Sequence, residues 1–244
     1  MDLTDKNSYF TEYYKLNYSQ VYPNRSIKYP ELSNILQNAA ANHADYAKLG
    51  FDDLQQYNQA WVMNRIRIEI DDLPKLNDEI EIDTWVELLR GPKSIRNLSV
   101  KRNGQKIIGV SSLWAVFNTV KRRPEVLALD SSQMQRFPDL HATSVENAKL
   151  EFDFEFKKIS DYQVQLSDLD VVNHVNNIKY IEWCLDTLPR DFILENSFKV
   201  IEMNFLREIG ADQAVVIEKY QEEKVIFFRL SNQENICFVL KIEY

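Results

Sequence analysis

Four runs of this chain alternate apolar and polar residues with a period of two, whereas only two segments carry an apolar stripe at the helical period. Ile66, Ile68 and Ile70 are interleaved with Arg65, Arg67, Glu69 and Asp71, and Ile80, Ile82, Thr84, Val86 and Leu88 with Glu79, Glu81, Asp83, Trp85 and Glu87. The rhythm returns at Phe152, Phe154 and Phe156, and again at Ile236, Phe238, Leu240 and Ile242. Successive side chains of an extended chain point to opposite faces, so these runs predict antiparallel strands with one buried and one wetter face. Leu32, Ile35, Leu36, Ala39, His43, Tyr46 and Ala47 share one helical stripe instead, with Pro30 in its first turn and Gly50 at its stop. A second stripe of Ile178, Ile181, Leu185 and Leu188 lies within a helix expected from about Asn176 to Leu188, which Pro189 ends.

Each helix follows one expected strand, near Phe10–Tyr18 and Phe152–Leu166, and precedes about four more. The order strand, helix, four strands therefore occurs twice. It predicts an α+β architecture, a tandem (double) hotdog, in which two antiparallel sheets each wrap one long helix. The 244 residues suit such a division. A first unit is expected over 1–137, a linker over 138–150 and a second unit over 151–244. The stretch Asp130–Lys149 is polar and without strong period, as a connection should be.

Composition removes several classes of function. Glycine occurs only five times, where average usage of about 7% would give roughly 17. None of the five forms G-x-G, G-x-x-x-x-G-K or G-x-S-x-G, so no Rossmann turn, phosphate-binding loop or nucleophile elbow is present as a local motif. Three histidines and the widely separated Cys184 and Cys237 show no zinc spacing, and no metal or organic cofactor is expected. Lone cysteines in a chain of this kind read as buried small hydrophobes in a reducing compartment. The opening MDLTDKNSYF lacks a basic region followed by an apolar one, and the longest nearly uncharged apolar stretch, Ile107 to Phe117, is too short to cross a bilayer. A cytoplasmic protein with no membrane span is expected.

Chemistry concentrates in Ser167-Asp168-Leu169-Asp170-Val171-Val172-Asn173-His174-Val175-Asn176-Asn177-Ile178-Lys179-Tyr180. This segment leaves a strand through two aspartates and enters the second helix with His174 just ahead of its first turn. Helix N-termini offer unsatisfied N–H donors and partial positive charge suited to a developing oxyanion. A carboxylate and an imidazole beside them are the parts that activate water against a carbonyl. The same residue types also make an ordinary capped helix entrance.

This segment resembles the acyl-acyl carrier protein thioesterases, which carry D-x-N-x-H-V-N-N-V-K-Y here; His174 to Tyr180 match almost residue for residue. Trp61-Val62-Met63-Asn64-Arg65 is similar to the family's W-V-x-x-R strand. Asp83-Thr84-Trp85-Val86, Ser112-Leu113-Trp114, Arg122-Arg123-Pro124, Ala41-Asn42-His43 and Arg207-Glu208-Ile209-Gly210 resemble further family segments, over nearly the full length. The resemblance implies a double hotdog whose first half forms most of an acyl-chain pocket and whose second half carries the chemistry. It implies catalytic roles for Asp170, His174 and Glu208, and substrate contacts from Trp61 and Asn176. Two positions depart from the family. Its cysteine after the glutamate is Ile209, which leaves water as the nucleophile. Its asparagine two residues before the histidine is Val172, so either Asn173 or helix N–H groups must serve the oxyanion. His43, on the apolar stripe of the first helix, reads as a hydrogen-bonded core residue despite its family match.

The implied reaction is hydrolysis of an acyl carrier protein thioester to free fatty acid. Alternatives are an acyl-CoA thioesterase of the same fold and a non-catalytic acyl-binding protein, which Val172 and Ile209 favour. Charge bears on the partner. Residues 1–137 hold 18 basic and 17 acidic side chains, and residues 138–244 hold 11 and 20. Between Leu88 and Pro124 there are nine basic residues and no acidic one. In a chain of net charge −8 this reads as a local positive face for an acidic carrier protein, with Arg122, Arg123 and Arg102 as docking residues. Nucleic acid is a poor partner for a chain of pI near 5.1. A tandem chain pairs its halves internally, so both a monomer and a homodimer are compatible with it.

Overall fold

The computed structural model describes residues 5–233 and 235–244; residues 1–4, which open the acidic N-terminal stretch, and Glu234 lie outside the described residues. The first half contains β1 (Tyr9–Lys15), α1 (Tyr29–Tyr46), α2 (Phe51–Gln55), β2 (Gln59–Ile70), β3 (Glu79–Arg90), β4 (Lys93–Arg102), β5 (Gln105–Asn118) and β6 (Arg123–Pro124). The second contains β7 (Lys157–Gln163), α3 (Asn177–Asp186), α4 (Arg190–Glu195), β8 (Val200–Phe205), β9 (Ala214–Glu222), β10 (Val225–Asn232) and β11 (Asn235–Glu243). The strands that alternation predicts in the first half all form, and each long helix lies on an apolar sheet face as its stripe demands.

The halves repeat closely. A shift of 148 positions, Tyr9 to Lys157, maps β1 onto β7 and the start of α1 onto that of α3. It also maps the bridge Val21↔Ile27 onto Leu169↔Val175. In both copies a tyrosine of the first strand bonds the buried polar residue of the following turn: Tyr14 to Gln20 at 2.7 Å, and Tyr162 to Asp168 at 2.9 Å. Equivalent residues Arg25 and Asn173 both take positive φ, at 71° and 64°.

The expected pair of sheets is, among the described residues, one continuous sheet of eleven strands. Its order is β1-β3-β4-β5-β2-β8-β11-β10-β9-β7, with β6 on β5. Each half-sheet would end in an unpaired strand, and pairing β2 with β8, from Arg65↔Asn204 to Glu69↔Val200, satisfies both edges. A single core results, running between the sheet and the mutually packed α1 and α3. Leu88 departs from the alternation: a bulge between Val86 and Leu88 turns it out, 38% exposed.

Two further expectations change. Phe152, Phe154 and Phe156 alternate but form no strand; β7 begins at Lys157. Phe154 stacks on Tyr220 at 4.5 Å, and Arg229 sits 4.4 Å over Phe156, so these rings cover the sheet's outer face. The polar connection ahead of them is a strap across that same face. Trp85 Nε1 donates to the Leu140 carbonyl at 2.9 Å, Ala142 N to Asn97 Oδ1 at 3.0 Å, Ser144 N to Glu69 Oε2 at 2.7 Å and Leu150 N to Asn204 Oδ1 at 2.9 Å. It thus passes β3, β4, β2 and β8 in spatial order, with its Phe137 and Ala142 buried against Trp85 and Leu150 at its end buried against Phe227 and Val239. Among the described residues, no helix is long and apolar enough to cross a membrane.

Candidate active site

The approach to α3 is a small hairpin built by Asp170. Its Oδ1 accepts from Val172 N and His174 N, both at 3.0 Å, while its own N–H donates to the His174 carbonyl at 2.7 Å. Asn173 closes the turn in the left-handed region, which asparagine tolerates better than most residues. Asn176 then caps α3, its Oδ1 accepting from Ile178 N at 3.1 Å. Its Nδ2 bonds nothing among the described residues.

A second loop, after β8, meets this one. His174 and Gly210 form an antiparallel bridge, Val175 N donates to the Ile209 carbonyl at 2.8 Å, and Ile209 N donates to the Tyr180 hydroxyl at 3.1 Å. These backbone ties bring Glu208 beside the imidazole: Glu208 Oε1 lies 3.7 Å from His174 Nδ1. That is just beyond hydrogen-bond length, the range of acid–base pairs that close when substrate enters. Both side chains are about one-third exposed, at 34% and 33%, so each is open to a ligand without being bathed in solvent.

The pair opens onto a cavity of about 1020 Å³ drawn from both halves, at the top of the size range of small-molecule sites. The first half contributes mainly apolar lining, including Trp61, Met63, Leu49, Val86, Phe117 and Met134. Asp170, His174, Asn176 and Glu208 all line it, as does Trp61. Asn173 does not: it stands exposed at the turn and is not part of the lining. Ile209 is wholly buried in the main core, so the apolar residue at this position packs rather than reacts.

The three arginines expected to dock a carrier are held in different ways. Arg122 Nη2 bonds Glu208 Oε2 at 2.6 Å, and its guanidinium lies 5.2 Å over the Phe117 ring. Arg102 is paired with Asp72 at 2.5 Å and with Asp78 at 3.0 Å, and Lys101 with Glu81 and Asp83. Arg96 is buried against His43 and Thr84. Acidic partners from β3 and the loop before it thus neutralise much of a run that contains none of its own; Arg123 is 67% exposed with only a 3.9 Å contact to Glu125. His43 is fully buried, bonded through Nδ1 to Arg96 at 2.7 Å and through Nε2 to the Asn7 carbonyl at 3.0 Å. Nothing local signals that Arg122 pairs with Glu208, since the two are 86 positions apart.

The site is thus an imidazole and a carboxylate at the mouth of a large, mostly apolar cavity within a double hotdog. Residues 7–133 match the model of the acyl-ACP thioesterase N-terminal domain, and residues 152–240 that of the C-terminal domain. The chain belongs to the acyl-ACP thioesterase family. It is 28% identical over 234 residues to a chloroplastic palmitoyl-acyl carrier protein thioesterase of Arabidopsis thaliana, covering 84% of this chain and 53% of that one. To an oleoyl-acyl carrier protein thioesterase of the same plant it is 25% identical over 232 residues, covering 87% and 64%. It thus spans 53% and 64% of the length of these two relatives. The fold matches the crystal structure of an acyl-ACP thioesterase from Bacteroides thetaiotaomicron at a TM-score of 0.90 and 24% identity, covering 100% of this chain and 99% of that one. The 12:0-ACP thioesterase from Umbellularia californica gives 0.82 at 20% identity, covering 96% of each.

Proposed function

We propose that this protein hydrolyses the thioester joining a fatty acyl chain to an acyl carrier protein, releasing free fatty acid and the carrier thiol. The observation that carries this reading is the approach of His174 and Glu208 at the mouth of the shared cavity. In the division this reading adopts, the half at 1–137 holds the alkyl chain and the half at 151–244 performs the chemistry. Glu208 takes a proton from water as the oxygen attacks the carbonyl carbon. Asn176 Nδ2 and the Asn177 N–H, the first of α3, stabilise the oxyanion. As the C–S bond breaks, that proton passes from Glu208 through His174 to the leaving sulfur, returning Glu208 to a carboxylate. Asp170 acts through the backbone, holding the turn that presents His174.

The test is hydrolysis of matched acyl-carrier and acyl-CoA substrates by the wild type, His174→Ala and Glu208→Gln. Loss of about 100-fold in kcat in each variant, with the carrier ester preferred by the wild type, is the expected result. Faster turnover of the CoA ester would move the substrate class to acyl-CoA. Binding of acyl chains without turnover would make the protein a non-catalytic acyl binder.

A further inference from the structure

Beyond the acid–base pair, the cavity continues into the second half, where its lining changes from apolar to carboxamide, with Gln213 and Asn232. Gln213 Oε1 accepts from Gly210 N at 3.1 Å and from Asn232 Nδ2. Because a backbone N–H can only donate, this contact fixes which end of the Gln213 amide faces Gly210. Two groups are then left over among the described residues: Gln213 Nε2, a donor, and Asn232 Oδ1, an acceptor. Both side chains are only half-buried and line the cavity, so neither group is sealed in the core. Gly210 is the residue bridged to His174, which puts this pair next to the proposed reacting centre, on residues of the second half.

One free donor beside one free acceptor matches the C=O and N–H of a secondary amide. We propose that Gln213 and Asn232 form a subsite for the amide of the pantetheine arm that bears the thioester. Gln213 Nε2 donates to the amide carbonyl, and Asn232 Oδ1 accepts from its N–H. The inference rests on the proposed thioester hydrolysis and names the side of the leaving group that the site reads. It fits a thiol with an amide a few bonds from the sulfur, and it is blind to the acyl chain.

The experiment compares one acyl group on four thiols: carrier protein, pantetheine, N-acetylcysteamine and a plain alkanethiol without an amide. Wild type, Asn232→Ala and Gln213→Glu are assayed on each. Gln213→Glu keeps the acceptor for Gly210 N–H and replaces the donor, so it guards against a misfolded loop. Each variant is expected to lose roughly 5- to 10-fold in kcat/KM on the three amide-bearing substrates, the effect of one hydrogen bond, and nothing on the alkanethiol ester. An equal loss on all four, or no loss on any, overturns the subsite. Failure of His174→Ala to lower hydrolysis of any of the four would instead overturn the underlying reaction, a separable outcome.

Discussion

Arg122, at the tip of the β5–β6 turn, reaches across to the other half of the molecule and bonds the carboxylate of Glu208 at 2.6 Å. The ion pair contributes little to stability: Arg122 is 57% exposed, and pairs of that kind give at most about 1 kcal/mol. Its consequence is geometric. With Oε2 held by Arg122, Oε1 is the oxygen turned to His174, and Phe117 of the cavity wall supports the guanidinium. The carboxylate proposed as the base is therefore oriented by the half that would hold the alkyl chain.

If Arg122 orients Glu208, Arg122→Ala lowers kcat by about 10- to 100-fold, the scale of a misplaced catalytic group, with KM little changed. Arg122→Lys should restore part of the loss. In a Glu208→Gln background, Arg122→Ala should add almost nothing, because its effect runs through the carboxylate. A raised KM for carrier substrates that salt suppresses, with kcat intact, would return Arg122 to a docking role.

Asp170 separates charge from geometry. Its Oδ1 accepts two backbone N–H groups, and an amide oxygen can do the same. Asp170→Asn is expected to keep activity within about threefold, whereas Asp170→Ala, which frees both donors, should lose at least about tenfold and melt earlier. Comparable inactivation by both, with unchanged melting, would make the negative charge itself part of the reaction.

The buried His43 makes stability depend on pH. Burial, reinforced by the Arg96 charge, pushes its pKa from 6.5 down to about 3; the Asn7 carbonyl and Asp5 act the other way and prevail less. The folded protein keeps His43 neutral where the unfolded chain takes up a proton. Its contribution is therefore complete above about pH 6.5 and is lost as pH falls toward 3. Between pH 6.5 and 5, ahead of most carboxylate titration, the slope should approach about 1.4 kcal/mol per unit. Urea unfolding at pH 7 and pH 5 measures it, and His43→Gln should flatten the difference. The same slope in the variant would assign the dependence to another group.

How much the sequence reveals depends on the range of the interaction. Ile66, Ile68, Ile80 and Ile82 show their strands because the signal is carried by neighbours two residues apart. The Asp170–His174 turn is legible for the same reason. Phe152, Phe154 and Phe156 carry an equal signal, but Tyr220 and Phe227 leave an apolar outer face to be covered, and the rings lie on it instead of joining the ladder. Nothing local distinguishes β2 as an edge from β2 as the seam with β8, since Ile66 and Ile68 are buried in either arrangement. The basic run likewise hides its acidic partners, which pair across β3 and β4 or, for Arg122, across the whole cavity.

The strap offers the final prediction. Gly109 lies in β5 directly under it, and a Cβ there would stand 2.0 Å from the Ala142 carbonyl oxygen. Backbone on both sides leaves no flexible group to yield, so Gly109→Ala must lift the strap and disturb the Ala142–Asn97 bond with it. A cost of about 1–3 kcal/mol follows from overpacking, read as a melting temperature lower by about 5 °C. Gly210→Ala is the control, because the nearest atom to its added Cβ is 3.8 Å away. A drop confined to Gly109→Ala ties the strap to the stability of the joined sheet; equal drops in both would trace the effect to backbone freedom, and an unchanged Gly109→Ala would mean that the connection rests on the sheet without bracing it.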